Sequence, residues 1–390
     1  MIKKIFAIML VFSTSYVSFS QKMDTQLNDI LASVEANNAQ LRAVREANAA
    51  TMAEVKAENG LGETSIEYTP FYRNGISGTA SSELIVSQEF DFPTVNACRR
   101  KSQSLQSNVL DKQYLLVRRD VLLEVKKTYY DLQSTYQKDA LLCNRLSLAD
   151  SLLSVFTKRM EHGDATIIDV NRIKMDRMTV LREKMDNDGE VKQQMLKLQR
   201  LNGGIALPEV RLVVQNIILP PVNTASQMSS EELLADAELS LQSQNVALSK
   251  QEWMPKLTLG YRRNTELKEA SHGVLVGVSV PLFSTSGKVK AAEKRRMVAV
   301  QNLENARVDT DSRQRMLMAE AENLYQQLMT FDTELMTENV RILHHSVLSG
   351  ALSVIDYYNE SDRVYRAMAE RIDIENRYMK TVAEWGREER

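Results

Sequence analysis

A seven-residue signature occurs twice, about 190 residues apart, and that spacing fits a duplicated structural unit. Its copies are Gly163-Asp164-Ala165-Thr166-Ile167-Ile168-Asp169 and Gly350-Ala351-Leu352-Ser353-Val354-Ile355-Asp356. Both read Gly-x-x-[Ser/Thr]-aliphatic-Ile-Asp. A glycine after a helical stretch is a stop signal, because only glycine enters the left-handed conformation cheaply. A Ser or Thr followed three residues later by an acid is a start signal, because both side chains satisfy free N–H groups of the next helix. Each copy therefore predicts a tight helix–turn–helix tip, and the pair predicts two repeats of one design.

The flanks agree with long elements. Only 14 glycines and 7 prolines occur in 390 residues. Asp24 to Asn59 is helical and polar-rich, and Thr94 to Glu161 is helical again. In the latter, Leu115, Leu122, Val125, Tyr129, Leu132, Tyr136, Cys143, Leu146 and Leu153 step by three and four. That period of about 3.5 is the mark of left-handed coiled-coil packing. Arg118, Asp139 and Asp150 interrupt the seam. Such a helix would run roughly 100 Å, too long for one globular domain to bury. After the first tip, Ile167 to Leu201 runs back. Residues 204–229 hold Pro208, Pro220 and Pro221 and read as a linker. The second half repeats the order: a helix from Ser230 to Trp253, a strand-like region, one very long helix from Gly287 to Ser349, the second tip, and a last helix to Trp385.

The chain begins as secreted proteins do. Lys3 and Lys4 precede the apolar run Ile5 to Phe12, and Ser18-Phe19-Ser20 reads as a cleavage site before Gln21. Residues 1–20 are expected to be a signal peptide. No later segment is apolar enough to span a membrane as a helix. Net charge is −2, with no basic excess to suggest nucleic acid. Cys98 and Cys143 form no metal spacing and read as buried thiols.

Four strands are expected: Thr64 to Arg73, Leu84 to Phe92, Lys256 to Arg263 and Val274 to Phe283. Their lengths of about eight to ten residues suit tilted membrane strands. The fourth places Val274, Val276, Val278, Val280 and Leu282 on one face, with Gly277 and Ser279 on the other. The second opposes Leu84, Val86, Phe90 and Phe92 to Ser87, Glu89 and Asp91. Ser87, Glu89, Asp91 and Ser279 are the candidate inward-facing residues, and the turns Asn74 to Ser82 and Asn264 to Ser271 are expected in water. The alternative is two ordinary hairpins on a soluble core. Four strands close no useful barrel, and lipid forbids open edges, so membrane strands would need several chains. Three copies would give twelve strands, within the known range.

Strand pairs between long paired helices, in two copies behind a signal peptide, resemble the TolC-like outer-membrane efflux proteins. The tip motif matches that family's glycine followed six residues on by an aspartate. Trp253-Met254-Pro255-Lys256-Leu257-Thr258-Leu259 looks like the start of its third strand, and Val278-Ser279-Val280-Pro281-Leu282-Phe283 with Gly287 like the end of its fourth. The resemblance implies a mainly α fold with membrane β: two tandem repeats, 21–203 and 230–390, forming a trimeric twelve-stranded β-barrel continued by a periplasmic α-helical barrel. It implies a homotrimer in outer-membrane lipid, a periplasmic adaptor, and an inner-membrane transporter of RND or ABC type. The tips Gly163, Asp164, Thr166, Asp169, Gly350, Leu352 and Ser353 would meet the adaptor. Asp356 would sit at a gating ring of carboxylates; Asn359 stands where some members carry a second acid, beside Glu360.

Other readings of these residues stand alongside. Asp169 and Asp356 also serve as helix-capping acids, and Asp356 can do both. Met175, Met178, Met185, Met195, Met316, Met318, Met329 and Met336 could suggest Cu(I) handling, but such methionines usually fill helix seams. No nucleophile elbow, phosphate loop or His/carboxylate ligand spacing occurs, so neither an enzyme nor a cofactor is expected. The functional expectation is a passive outer-membrane exit duct of an efflux or type I secretion system. Its rival is a periplasmic or surface coiled-coil scaffold with soluble hairpins.

Overall fold

The computed structural model describes residues 25–60, 62–75, 77–208, 210–213, 217, 228–266, 269–280 and 286–387. The expected signal peptide, most of the expected linker, and Leu282 and Phe283 lie outside them. Two helices come first, α1 (Thr25–Asn37) and α2 (Ala39–Glu58), then strands β1 (Thr64–Phe71) and β2 (Ser81–Phe90). Helix α3 (Pro93–His162) runs 70 residues and α4 (Ile167–Leu201) returns beside it. Then come α5 (Ser230–Gln251), β3 (Lys256–Glu266), β4 (Glu269–Ser279), α6 (Ser286–Met329), α7 (Thr333–Ser349) and α8 (Val354–Trp385). None of the described helices is long and apolar enough to cross a membrane.

Helix α3 is the spine. Leu27, Ile30 and Val34 of α1 and Leu41 of α2 pack on its Val121, Val125, Tyr129 and Leu132, with Leu198 of α4 closing the cluster. Burying each such side chain contributes about 1.5–3 kcal/mol. Farther along, Ala321, Leu324 and Leu328 of α6 meet Ile374, Tyr378 and Met379 of α8. The polar residues that interrupt the seam of α3 each meet an opposite charge on a neighbouring helix. Arg118 grips Glu35 through two bonds of 2.6 Å, Lys184 reaches Asp139 at 2.6 Å, and Arg177 pairs with Asp150.

Several expectations need correction. The second long helix is not continuous: α6 stops at Met329, and α7 restarts because the Asp332 side chain accepts the Leu335 N–H at 2.9 Å. The first helical stretch breaks likewise at Asn38, which caps α2 and donates to the Leu201 carbonyl at 2.7 Å. The second hairpin is tighter than its polar residues imply. Thr265 pairs with Ala270 and Glu266 with Glu269, so most of Asn264 to Ser271 is ladder rather than turn. Strand β1 ends at Phe71, β2 begins at Ser81 and ends before Phe92, and β4 ends at Ser279. The cysteines are not buried thiols: Cys143 is exposed and Cys98 half-buried. Leu115 is also exposed. Of the methionines, Met195 packs on the core, whereas Met175, Met178, Met185, Met316 and Met329 stand exposed and fill no seam within this chain.

One ionic hub ties the two halves together. Glu231, in the first turn of α5, receives Arg119 of α3 at 2.5 Å, Arg313 of α6 at 3.2 Å and Arg387 at 2.8 Å. Burial alone would raise its pKa, but Arg119, its own backbone N–H and Arg387 hold the carboxyl down at about 2. A carboxylate depressed on folding stabilises the fold above its unfolded pKa of 4.5 and loses that stabilisation as pH falls toward 2. Because the group is partly solvated, its contribution is on the order of 1–2 kcal/mol. Glu231→Gln is therefore expected to lower unfolding free energy by that amount at pH 7. In denaturant titrations at pH 7, 5 and 3, the gap between variant and parent should narrow at the lowest pH.

Candidate functional site

Two regions gather the candidate residues: the sheet and the helical tips. The sheet has the order β1-β2-β3-β4, all neighbours antiparallel, so its outer edges are β1 and β4. Strand residues alternate between faces, and the register therefore assigns each row to one side. One face carries the rows Ile66–Val86–Tyr261–Val274 and Phe90–Leu257–Val278, with Leu259 and Val276 between them. It is bare: Val274 is 83% exposed, Ile66 70% and Val276 69%. The other face carries Ser65–Ser87–Gly260–Leu275, Glu67–Ile85–Arg262–Gly273 and Glu89–Thr258–Gly277. There Arg262 pairs with Glu83, and Lys256 meets Glu89 at 3.4 Å. Ser87, Glu89 and Ser279 all lie on this polar face. Asp91 lies past the end of β2, where it pairs with Arg99 of α3. Gly260 is required by close approach, since a Cβ there would meet the Val86 carbonyl oxygen at 2.5 Å.

The two tips repeat bond for bond at their stops. Gly163 (φ 84°) donates to Met160 at 3.1 Å, and Asp164 to Arg159 at 2.8 Å. Gly350 (φ 80°) donates to Val347 at 3.3 Å, and Ala351 to Ser346 at 3.0 Å. This left-handed closure satisfies the last carbonyls of α3 and α7. The starts differ. Thr166 and Asp169 form a reciprocal box: the Thr166 hydroxyl accepts the Asp169 N–H at 3.2 Å, and the carboxylate accepts the Thr166 N–H at 3.0 Å. At the second copy Ser353 accepts the Asp356 N–H at 3.1 Å; in both copies the cap hydroxyl also donates to the carboxylate at 2.6 Å, so what distinguishes the first is its backbone N–H to carboxylate bond.

The fold sets the tips side by side. Leu152, Phe156, Val170 and Ile173 of the first hairpin share one cluster with Val347, Val354 and Tyr357 of the second, and Leu352 packs against it. Arg159 also donates to the Leu348 carbonyl. Asp164 and Thr166 are exposed, as are Ile168 and Ile355, which occupy the same position in the two copies. Asp356, Asn359 and Glu360 project from one exposed face of α8, at the i, i+3, i+4 spacing of a helical stripe. Arg363, the next residue of that stripe, pairs with Glu360 at 3.4 Å. Above the tips, Arg145 of α3 bonds Asp176 of α4 at 2.7 Å and Asp362 of α8 at 3.2 Å, stacking over the Tyr365 ring at 5.1 Å. Burial pushes the Asp176 carboxyl up despite that guanidinium.

Sequence reasoning missed Arg363, the Arg145 cluster and the exposed isoleucines. The signal for Arg363 was present as an i+3 basic partner of Glu360. The isoleucines sat in plain view inside the repeated motif.

No family model and no curated protein sequence matches the chain. Solved structures do. CusC matches with a TM-score of 0.76 at 15% identity, over 93% of this chain and 92% of that one; it is described by its transmembrane channel formation. The CmeC outer membrane channel of Campylobacter jejuni matches at 0.76 and 13% identity, over 93% and 85%. The outer membrane protein VceC of Vibrio cholerae matches at 0.72 and 14%, over 93% and 96%. The fold is that of these outer-membrane proteins. It agrees with the TolC-like resemblance in the sequence, and the agreement extends over nearly the whole length of both chains.

The caps can be weighed directly. Thr166→Ala and Ser353→Ala are each expected to cost about 1 kcal/mol. The loss should appear in hydrogen exchange as faster opening of the tip turns, with the core of α3 around Tyr129 unchanged.

Proposed function

We propose that the chain is the outer-membrane exit duct of a tripartite efflux or type I secretion system. The observation that carries this reading is the sheet. An exposed apolar face suits lipid, and a polar, ion-paired face suits a water-filled lumen. Both outer edges are open, and lipid cannot satisfy their N–H and C=O groups. Further copies would pair β1 of one chain with β4 of the next, and three copies close twelve strands. The helices agree. Helix α4 exposes Ile168, Met175, Met178, Met185 and Leu196, and α6 exposes Met297, Val308 and Met316, as seams with no partner in the same chain. Facing seams of adjacent protomers would make a periplasmic helical barrel.

In this reading residues 1–20 direct export, and 21–203 and 230–390 are two repeats joined by 204–229. The protein resides in the outer membrane and extends into the periplasm. The duct is passive and catalyses nothing; an inner-membrane transporter of RND or ABC type supplies the energy. The tips meet a periplasmic adaptor through Gly163, Asp164, Thr166, Asp169, Gly350, Leu352 and Ser353, with Ile168 and Ile355 adding apolar contact. Asp356 supports the Ser353 cap of α8 by accepting its hydroxyl, and it also faces the narrow end of the lumen, where three carboxylates on an axis hold cations and repel anions. Asn359 weakens a second ring, and Arg363 offsets Glu360.

Membrane fractionation followed by mild-detergent sizing is expected to give a membrane-bound trimer; a soluble monomer would sink the proposal. In planar bilayers, Asp356→Ala should raise ion conductance or weaken block by multivalent cations. Unchanged conductance and block would leave Asp356 as a helix cap alone.

A further inference from the structure

The apolar face of the sheet carries one row with basic side chains, and its surroundings say what it binds. Arg263 of β3 pairs in register with His272 of β4, on the same face as Tyr68, Leu84 and Val274. These are the only Lys, Arg, His, Asp or Glu residues on that face among the described strands; Glu67, Glu83, Glu89, Glu266 and Glu269 all fall on the other. The contrast between the faces is sharp. Arg262, one residue away on the polar face, is neutralised by Glu83, and Lys256 by Glu89. No carboxylate stands on the face of Arg263 to do the same. Both members of the pair are exposed, and His272 is held by the Tyr261 hydroxyl across the strands.

The height of the row matters as much as its charge. It lies toward the hairpin ends, away from the helices. Six residues separate it from the Phe90–Leu257–Val278 row, roughly 20 Å along the strand. Between them the face is Ile66, Val86, Leu259, Val276, Tyr261 and Val274, with one uncharged polar pair, Thr64 and Gln88, hydrogen-bonded to each other at 2.6 Å. A largely apolar band followed by Tyr261 and then by the row of Tyr68, Arg263 and His272 matches the order of acyl chain, interface and headgroup in a lipid leaflet.

We infer that Arg263 and His272 form a binding site for the phosphate of an anionic lipid in the leaflet distal to the helices, its acyl chains lying on the band from Ile66 to Val278. The inference rests on the duct reading, because it needs this face in a membrane. Arginine suits the role: its guanidinium grips phosphate through two parallel bonds, and its aliphatic stem lies along apolar surface. The row also fixes the depth of the barrel, since sinking it into the hydrocarbon would strip the headgroup from a charge with no partner.

Native mass spectrometry of the full-length protein in mild detergent tests this, with phosphatidylglycerol as the probe and phosphatidylcholine of the same acyl chains as the reference. The parent should retain phosphatidylglycerol preferentially. Arg263→Gln with His272→Gln should cut that preference roughly tenfold. Arg263→Lys, which keeps the charge but not the paired bonds, should keep part of it, and Glu83→Gln with Arg262→Gln on the opposite face should leave it intact. Should the double variant not assemble, Arg263→Gln alone carries the same comparison. A membrane-bound trimer whose outward variant holds the probe as the parent does, or whose opposite-face variant loses it equally, overturns the lipid site and leaves the duct standing. A soluble monomer overturns both.

Discussion

The requirement that every backbone N–H and C=O find a partner governs this molecule. Helices meet it internally, and the inner ladders of the sheet meet it between β2 and its neighbours. The outer edges of β1 and β4 do not meet it within one chain. An open edge in water is an aggregation hazard, and in lipid it is untenable. The same incompleteness recurs in the helices, where α4 and α6 turn apolar seams outward. The chain is thus open at both edges of its sheet and exposes apolar residues along α4 and α6, which is the incompleteness that the proposed duct would resolve.

The two halves of the chain are joined at more than one level. The tips share one apolar cluster, and Arg145 joins α3, α4 and α8 through two carboxylates and a ring. Glu231 does the corresponding work farther up, meeting arginines from α3, α6 and the end of the chain. These are different strategies. The apolar cluster tolerates sliding, whereas a carboxylate shared among guanidinium groups fixes register, because its geometry and desolvation are satisfied in one arrangement.

Most of the architecture was readable from residues whose roles are local. Gly163 and Gly350 announce left-handed stops, Thr166 and Ser353 announce starts, and valines alternating from Val274 announce a two-faced strand. Less was readable where context decides. Asn38 and Asp332 are ordinary polar residues in helical sequence, and only their cap bonds reveal the breaks. Thr265 and Ala270 look like turn residues but are held in strand by the ladder. Cys143 fits the heptad of α3, yet it is exposed. The face assignment of Arg263 depended on register, which sequence alone leaves free to slip by one residue.

The sheet also has a history in time. The helical hairpin α3–α4 forms from contacts near in sequence, around the turn at Gly163, and α7–α8 around Gly350 likewise. The ladder between β2 and β3 does not: its pair Phe90 and Leu257 stands on opposite sides of α3, the first tip, α4, the 204–229 segment and α5. Closing a loop of that size costs on the order of 4–5 kcal/mol of chain entropy before any ladder bond returns it. The central seam of the sheet therefore carries the largest closure cost of these pairings, and the α3–α4 hairpin, which lies between its ends, shortens the path. Before that seam closes, the apolar rows belong to two separate ribbons, β1–β2 and β3–β4.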